Sequence, residues 1–161
     1  MSDLKNEFYL KIILIISFTA LIFAYFIEHI LGHQPCNLCV IERIPYGISI
    51  VLITIIFILK KNQKFFTLLL ILTFIFSFSI SFYHYGIEQG FFEESTVCNA
   101  RNFTENLTKE DLLKELSKKT ISCKDVTFRI FGFSLTSINV VLSLLFIITL
   151  IKIFIKYEKN K

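Results

Sequence analysis

The segment from Phe65 to Tyr83 has the sequence FFTLLLILTFIFSFSISFY, which contains no charged residue. A helix needs about 20 mostly apolar residues to cross the hydrocarbon core of a bilayer. Aromatic and β-branched side chains favour strands in water, but a lipid-embedded segment must satisfy its own backbone hydrogen bonds, which favours a helix. The segment therefore predicts a membrane-spanning helix.

Three further stretches have the same character, at about 10–30, 44–59 and 131–155. The first is too long for a signal peptide and is followed by more spans rather than by a small-residue cleavage site. The second is short and could begin near Cys39, so that Pro45 either kinks the helix or marks its first turn. Together they predict an all-α membrane protein, in which residues 1–161 form a single domain with a bundle of four transmembrane helices.

The composition supports a membrane protein, since the 161 residues are 54% hydrophobic with a mean hydropathy of +0.65. Soluble domains are clearly less apolar. The net charge of +4 would suit a nucleic-acid-binding protein, but the basic residues lie at the ends of apolar runs, where they act as topology signals. We therefore expect the lipid bilayer as a partner and no nucleic acid.

The lysines also predict the orientation of the spans, because short cytoplasmic segments are rich in Lys and Arg. The link between spans two and three and the C-terminal tail carry Lys60, Lys61, Lys64, Lys152, Lys156, Lys159 and Lys161. The link between spans one and two carries only Arg43. Both termini are therefore expected in the cytoplasm, with loops at about 31–43 and 84–130 outside.

This topology places all four cysteines on the outer side, where an even count suggests two disulfides. Cys36 and Cys39 form a C-x-x-C pair at the start of a helix, whose dipole stabilises a thiolate. Arg43 follows Cys39 by four residues and would share its helix face. It would then stabilise the Cys39 thiolate and could hold an anionic partner, or it is an anchor that snorkels to the headgroups.

The second pair, Cys98 and Cys123, encloses a polar loop. A bridge there could be a structural staple worth about 3–4 kcal/mol. Beside another pair it favours a relay, because a thiolate released from one disulfide can attack the next. Residues 109–119 have the spacing of an amphipathic helix, which could lie on the membrane surface or be an ordinary solvated helix.

Other polar residues leave alternatives open. His84 and Glu88 lie one turn apart and could supply protons or hydrogen bonds to a redox partner, or they belong to an interfacial belt with a solvated Glu. Asn139 is expected to bond across helices. A rival function is a membrane metal-binding protein with a zinc site built from His29, His33, Cys36 and Cys39. That site would leave Cys98 and Cys123 unexplained. A third possible function is a carrier that passes reductant outward, which would place cysteines within the spans, and the predicted spans contain none.

Several motifs resemble the disulfide-bond-forming protein B (DsbB) family. They are residues 35–43 (PCNLCVIER), 83–90 (YHYGIEQG), 123–126 (CKDV) and 131–135 (FGFSL) followed by Asn139. The first matches the family pattern P-C-x-L-C-x-x-E/Q-R at the start of its second helix. The resemblance covers nearly the whole chain, and the four-span layout agrees with it.

The resemblance implies an enzyme, a quinone-dependent oxidoreductase of the bacterial inner membrane with periplasmic cysteine loops. Such a protein reoxidises a periplasmic DsbA-type dithiol carrier and passes the electrons to ubiquinone or menaquinone, with no metal. Family members often have Trp near the quinone, whereas this chain has no Trp. Phe128, Phe131 and Ile138 stand in that region, so the packing around a quinone would differ.

The resemblance also implies a role for each site residue. Cys98 would accept attack by the partner's thiolate, and the released Cys123 would attack Cys36. Cys39 would then become the thiolate that engages the quinone, and Arg43 would stabilise that complex. The cofactor-binding residues implied near the quinone are Arg43, His84 and Glu88.

Overall fold

The computed structural model describes residues 2–59, 62–93, 98, 123–124, 129–130 and 132–159. The possible surface helix at 109–119 and most of the loop expected at 84–130 lie outside these residues. The same is true of Lys60, Lys61 and Lys161, and of Phe128 and Phe131 beside the expected quinone region.

The described residues form five helices and one antiparallel hairpin. The helices are α1 (Ser2–His29), α2 (Asn37–Ile41), α3 (Ile44–Leu59), α4 (Gln63–Glu88) and α5 (Leu135–Lys159), and the strands are β1 (Arg129–Ile130) and β2 (Phe133–Ser134).

Four helical segments are long and apolar enough to cross a membrane, with α2 and α3 counted together, which confirms the predicted fold class. They cover Asn6–His29, Asn37–Leu59, Gln63–Glu88 and Leu135–Tyr157. At most 33% of the residues in the most apolar window of each segment are buried within the protein. The remaining side chains, largely Ile, Leu and Phe, need lipid as their solvent.

The second span starts before α3, in the short helix α2. Cys36 caps α2, since its Sγ accepts a hydrogen bond from the Cys39 backbone N–H at 3.3 Å. Pro45 lies in the first turn of α3, where a missing N–H removes no helical hydrogen bond. Of the two roles left open for Pro45, the structure therefore shows a first-turn residue, and the span begins near the C-x-x-C pair.

The fourth span begins at Leu135 rather than near residue 131, because a hairpin precedes it. Arg129 pairs with Ser134 and Ile130 pairs with Phe133. Gly132 has φ of +86°, a left-handed conformation that glycine adopts without strain and that the tight connection requires. Ser134 then caps α5, since its Oγ accepts a hydrogen bond from the Ser137 N–H at 3.2 Å.

Two clusters of buried side chains occupy opposite ends of the bundle. The larger one joins the first half of α1, α3, the first half of α4 and the second half of α5; its buried members are Leu10, Ile13, Tyr46, Ile53, Ile56, Leu70, Ile71, Phe74, Phe146, Leu150 and Ile153. The smaller one lies where α4 ends and consists of Cys36, Leu38, Ile87, Cys98 and Cys123. We call it the cysteine cluster.

Small hydroxyl residues connect the helices between these clusters. Ser49 Oγ donates a hydrogen bond to Ser17 Oγ at 3.2 Å, joining α3 to α1. Ser77 and Ser143 share one at 3.1 Å between α4 and α5, the pair of helices with the most extensive contact. Each such bond is worth on the order of 0.6 kcal/mol in a membrane, so these residues stabilise packing modestly and let the backbones approach.

Candidate functional site

The C-x-x-C pair lies at the mouth of the bundle as two free thiols. Cys36 is buried and Cys39 is partly exposed, and their Sγ atoms are 2.7 Å apart. The α2 cap brings the two sulfurs together, because the residue before a helix and the third residue within it lie over the same turn. The pair can therefore interconvert between dithiol and disulfide with little backbone movement.

His84 in α4 connects this pair to the interior of the bundle. Its Nε2 lies 3.6 Å from Cys36 Sγ, and its Nδ1 lies 2.8 Å from Glu42 Oε1. The histidine is 1% exposed. The imidazole therefore bridges a thiol and a carboxylate away from water, where electrostatic interactions are strongest.

These contacts favour the thiolate form of Cys36. A hydrogen bond from the Cys39 thiol lowers the pKa of Cys36 to about 5; burial opposes this effect, and a hydrogen bond and the charge of His84 reinforce it. When the reduced pair carries one negative charge, that charge therefore rests on Cys36, and the Cys39 thiol donates a hydrogen bond to it. The family resemblance implies instead a thiolate on Cys39, facing the quinone. That thiolate belongs to another stage of the reaction, in which Cys36 is bonded to Cys123.

Glu42 is held by partners from two helices, α4 and α5. Its Oε2 accepts a hydrogen bond from Asn139 Nδ2 in α5 at 2.8 Å, while its Oε1 faces His84 in α4. Asn139 also donates to Ser81 Oγ at 2.7 Å and accepts from the Tyr46 hydroxyl. The predicted cross-helix role of Asn139 is thus confirmed, and this amide fixes the carboxylate that orients His84.

Glu88 lies on the other side of the histidine. Its Oε1 accepts a hydrogen bond from Thr136 Oγ1 at 2.6 Å and is 4.0 Å from His84 Nε2. Its side chain is only 6% exposed, and Oε2 has no hydrogen-bond partner among the described residues. His84 and Glu88 are therefore not the solvated belt that the sequence also allowed; both point into the bundle.

The second pair, Cys98 and Cys123, forms a disulfide with a Cα–Cα distance of 5.7 Å. Both residues are buried, and they pack with Cys36, Leu38 and Ile87 in the cysteine cluster. The structure therefore gathers all four cysteines at one end of the bundle, since Cys39 packs against the same cluster.

Arg43 is tied to the first helix. Its Nη1 donates to Glu28 Oε2 at 2.5 Å, and its guanidinium lies over the Tyr25 ring, 5.1 Å from the centroid. The ion pair is largely buried, with side chains 16% and 28% exposed. Arg43 is thus a positioned cation rather than an anchor reaching freely toward the headgroups.

A cavity of about 450 Å³ lies beside Arg43, between α1, α3 and α5. Polar groups line one end, including Cys39, Glu42, Arg43 and Tyr46, and apolar side chains of α1 and α5 line most of the rest. The volume falls in the range of small-molecule sites. His84 and Glu88 contact this cavity indirectly, through Glu42 and Thr136, which are part of its wall.

The zinc site considered from sequence is not the grouping that forms. Among the described residues, the cluster of three potential metal ligands consists of Cys36, Cys39 and His84. His29 is exposed, with its Nδ1 3.2 Å from the Tyr25 carbonyl oxygen, and His33 lies in the cavity wall.

Sequence reasoning missed the roles of Glu28, Glu42 and Thr136. Glu42 lies within the quoted stretch 35–43, at the start of an apolar span. A carboxylate there is costly unless it has partners, so this position could have indicated a paired carboxylate. No feature of the sequence sets Thr136 apart, because Ser and Thr are ordinary packing residues between membrane helices.

Comparison with known proteins also relates this chain to disulfide chemistry. The family model of the disulfide bond formation protein DsbB matches residues 6–153, a range that includes all four cysteines. A protein of Rickettsia prowazekii (strain Madrid E), described as uncharacterized, is 30% identical over 152 residues, covering 93% of this chain and 88% of the relative. Membership of the family implies a multi-pass membrane oxidoreductase that acts with a DsbA partner in disulfide bond formation. By the extent of the family match, this chain belongs to the DsbB family of disulfide bond formation proteins.

Proposed function

We propose that this protein is a quinone-coupled thiol oxidase that keeps a periplasmic DsbA-type carrier oxidised. The observation that carries the proposal is the cysteine cluster, where the Cys98–Cys123 disulfide packs with Cys36 while Cys39 opens into an apolar cavity. The Cys98–Cys123 pair can thus accept electrons from a soluble partner, and the Cys36–Cys39 pair can pass them to a lipid-soluble acceptor.

In the proposed relay, a thiolate of the reduced carrier attacks Cys98 and releases Cys123 as a thiolate. The carrier's second thiolate closes its own disulfide and frees Cys98. Cys123 attacks Cys36 in the oxidised C-x-x-C pair and releases Cys39, and Cys98 then attacks Cys123 and frees Cys36. Two electrons have then moved from the carrier to Cys36 and Cys39, and the Cys98–Cys123 disulfide is restored.

The cavity fits a quinone, either ubiquinone or menaquinone. Its long apolar wall suits an isoprenoid tail, and its polar end brings Cys39 and Arg43 to where a ring would lie. When bound, the quinone accepts two electrons and two protons from the dithiol. Arg43, fixed by Glu28, places a positive charge beside that end and favours an anionic sulfur there.

The buried polar groups control the protons of the pair. His84 Nε2 faces Cys36 Sγ, and the Glu42 carboxylate holds the other ring nitrogen. His84 can therefore take the proton that Cys36 loses and return it, while Glu88 and Thr136 lie next to the same ring. These residues act within the bundle and need no contact with the soluble carrier.

We place the protein in the bacterial inner membrane as one membrane domain over residues 1–161, with both termini cytoplasmic and the cysteine loops periplasmic. Support comes from the lysines near the ends of spans two, three and four and from the position of the cysteine cluster at the opposite end of the bundle.

A reconstituted assay tests the function. Purified protein, a reduced DsbA-type carrier and a soluble ubiquinone analogue are mixed, and loss of carrier thiols and of oxidised quinone is followed together. We expect one quinone to be consumed for each carrier dithiol oxidised, and Cys39→Ser to abolish the reaction. Ser79→Ala, on the exposed face of α4, is the matched control. Quinone consumption by Cys39→Ser at the parent rate would overturn the proposal.

A further inference from the structure

A second chemistry is available to the reduced cysteine pair. The Sγ atoms of Cys36 and Cys39 and a ring nitrogen of His84 all lie within 4.8 Å of one another. We propose that the reduced pair and His84 form a binding site for a thiophilic divalent cation such as Zn²⁺, and that the bound metal holds the pair in its reduced, inactive form. This inference does not depend on the quinone proposal, because it concerns the dithiol alone.

The distances suit a tetrahedral Zn²⁺ site. Zn–S bonds of about 2.3 Å and Zn–N bonds of about 2.0–2.1 Å place S and N ligands about 3.6 Å apart. Cys36 Sγ and His84 Nε2 are 3.6 Å apart. Two sulfurs in such a site lie about 3.8 Å apart, whereas those of Cys36 and Cys39 are 2.7 Å apart. The Sγ of Cys39, the more exposed of the two, therefore has to move by about an ångström to reach that spacing.

His84 is already oriented as metal-binding histidines are. Such a histidine commonly gives its second ring nitrogen to a carboxylate, which fixes the tautomer and aims the other nitrogen at the metal. Here Nδ1 lies 2.8 Å from Glu42 Oε1, and Nε2 faces the sulfurs. Because Asn139 holds the other oxygen of Glu42, this orientation is built into the bundle.

Glu88 supplies an independent sign of a ligand. Its side chain is 6% exposed, and Oε2 is buried with no hydrogen-bond partner among the described residues. Its other oxygen is 4.0 Å from His84 Nε2. A buried carboxylate oxygen without a donor is costly, and a cation at the adjacent site would satisfy it. The three ligand atoms leave one position of a tetrahedral site open, which Glu88 or a water molecule would fill.

The charge and softness of the ligands select the ion. Two thiolates neutralise a divalent cation, which removes the cost of an isolated dithiolate in a low-dielectric site. Thiolate and imidazole favour Zn²⁺ over the hard ions Mg²⁺ and Ca²⁺, which prefer oxygen ligands. Coordination uses the sulfur lone pairs that would attack a disulfide or a quinone, so metal and oxidation compete for the same pair.

Cobalt binding tests the site directly. The protein carrying Cys98→Ser and Cys123→Ser is reduced, stripped of quinone and titrated anaerobically with Co²⁺ in detergent. We expect one equivalent to give thiolate-to-cobalt absorption and the visible bands of a tetrahedral ion, and one equivalent of Zn²⁺ to remove both. The assay contains no quinone and no carrier, so its result does not depend on whether the protein is a quinone-coupled oxidase.

Variants identify the ligands. His84→Ala is expected to abolish the cobalt spectrum, and Glu42→Gln, which keeps the size of the side chain, is expected to weaken binding about 10–100-fold through the loss of the orienting carboxylate. The exposed His29→Ala is the control and should bind as the parent does. Absence of a thiolate–cobalt band at stoichiometric metal, or parent-like affinity in both Glu42→Gln and His84→Ala, would overturn the site.

Discussion

A carboxylate inside a lipid-spanning bundle is costly unless its oxygens are paired, and Glu42 meets that condition with partners from two other helices. The result is a chain of contacts from Asn139 through Glu42 and His84 to Cys36. Each group orients the next, so the properties of the Cys36 sulfur depend on Glu42 at the end of α2 and on residues in α4 and α5.

The reactivity of Cys36 should therefore change at an unusually low pH. Since its pKa is lowered to about 5, the sulfur is mainly thiolate at neutral pH, and its alkylation rate should fall only as the pH drops through about 5. In Cys39→Ala the main hydrogen bond to the thiolate is lost, so the midpoint should rise. Iodoacetamide labelling of the reduced protein at a series of pH values, with Cys36 quantified by peptide mass spectrometry, measures both midpoints. A parent midpoint near the ordinary thiol value of about 8.5 would contradict this electrostatic account.

Among single residues, the sequence predicted the cysteines, Arg43, His84, Glu88 and Asn139 as the polar groups of interest. It left the partners of each undecided, because those partners come from helices far apart in the chain. The ion pair of Arg43 with Glu28 and the contact of Glu88 with Thr136 join residues 15 and 48 positions apart. A one-dimensional pattern of hydropathy carries no information on such pairs.

Among the secondary-structure elements, the four spans were predictable because each is a long apolar run and lipid allows little besides a helix. The ends were less predictable. The fourth span starts at Leu135 because a hairpin with Gly132 at positive φ takes the preceding residues. Hydropathy could not reveal this hairpin, since its inner pair, Ile130 and Phe133, is apolar and continues the run toward the span.

The exit of α4 depends on close packing at Gly86. The N–H groups of Phe91 and Phe92 donate to the Gly86 carbonyl at 2.8 and 3.2 Å, which folds the chain back over the helix end. A Cβ on Gly86 would lie 2.1 Å from Cδ2 of Phe92, whose ring stacks on Tyr83.

Gly86→Ala should therefore destabilise the protein by about 1–3 kcal/mol, as overpacking does. Gly47→Ala in α3 is the matched control, because nothing lies within 4 Å of its Cβ position, and the better helix former should be neutral or stabilising by up to about 1 kcal/mol. Thermal unfolding in detergent compares the two variants. Equal Tm values for both would show that the Phe92 turn does not constrain this helix end.

For the whole molecule, the orientation in the membrane decides which compartment the cysteine cluster faces. We predict that the cluster faces the periplasm and that the link between α3 and α4 faces the cytoplasm, because that link and the C-terminal tail carry most of the lysines flanking the spans. After reduction of intact cells, a membrane-impermeant maleimide should label the native cysteines.

The control for this orientation carries Ser at all four native cysteine positions and a single new thiol from Gln63→Cys. It should be labelled only after the membrane is permeabilised. The opposite topology would hold if Gln63→Cys were labelled in intact cells and the native cysteines of the parent protein only after permeabilisation. The cysteine cluster would then face away from a periplasmic carrier.

In the proposed relay, the two cysteine pairs exchange electrons within one chain. The double variant Cys39→Ser, Cys98→Ser leaves Cys36 and Cys123, which share the cysteine cluster. We predict that this purified variant forms an intramolecular Cys36–Cys123 disulfide under mild oxidation, detected by non-reducing peptide mass spectrometry. The double variant Cys36→Ser, Cys98→Ser should cross-link less, because Cys39 is directed toward the cavity. Two free thiols persisting in the first variant, or an equal yield in both, would contradict the relay.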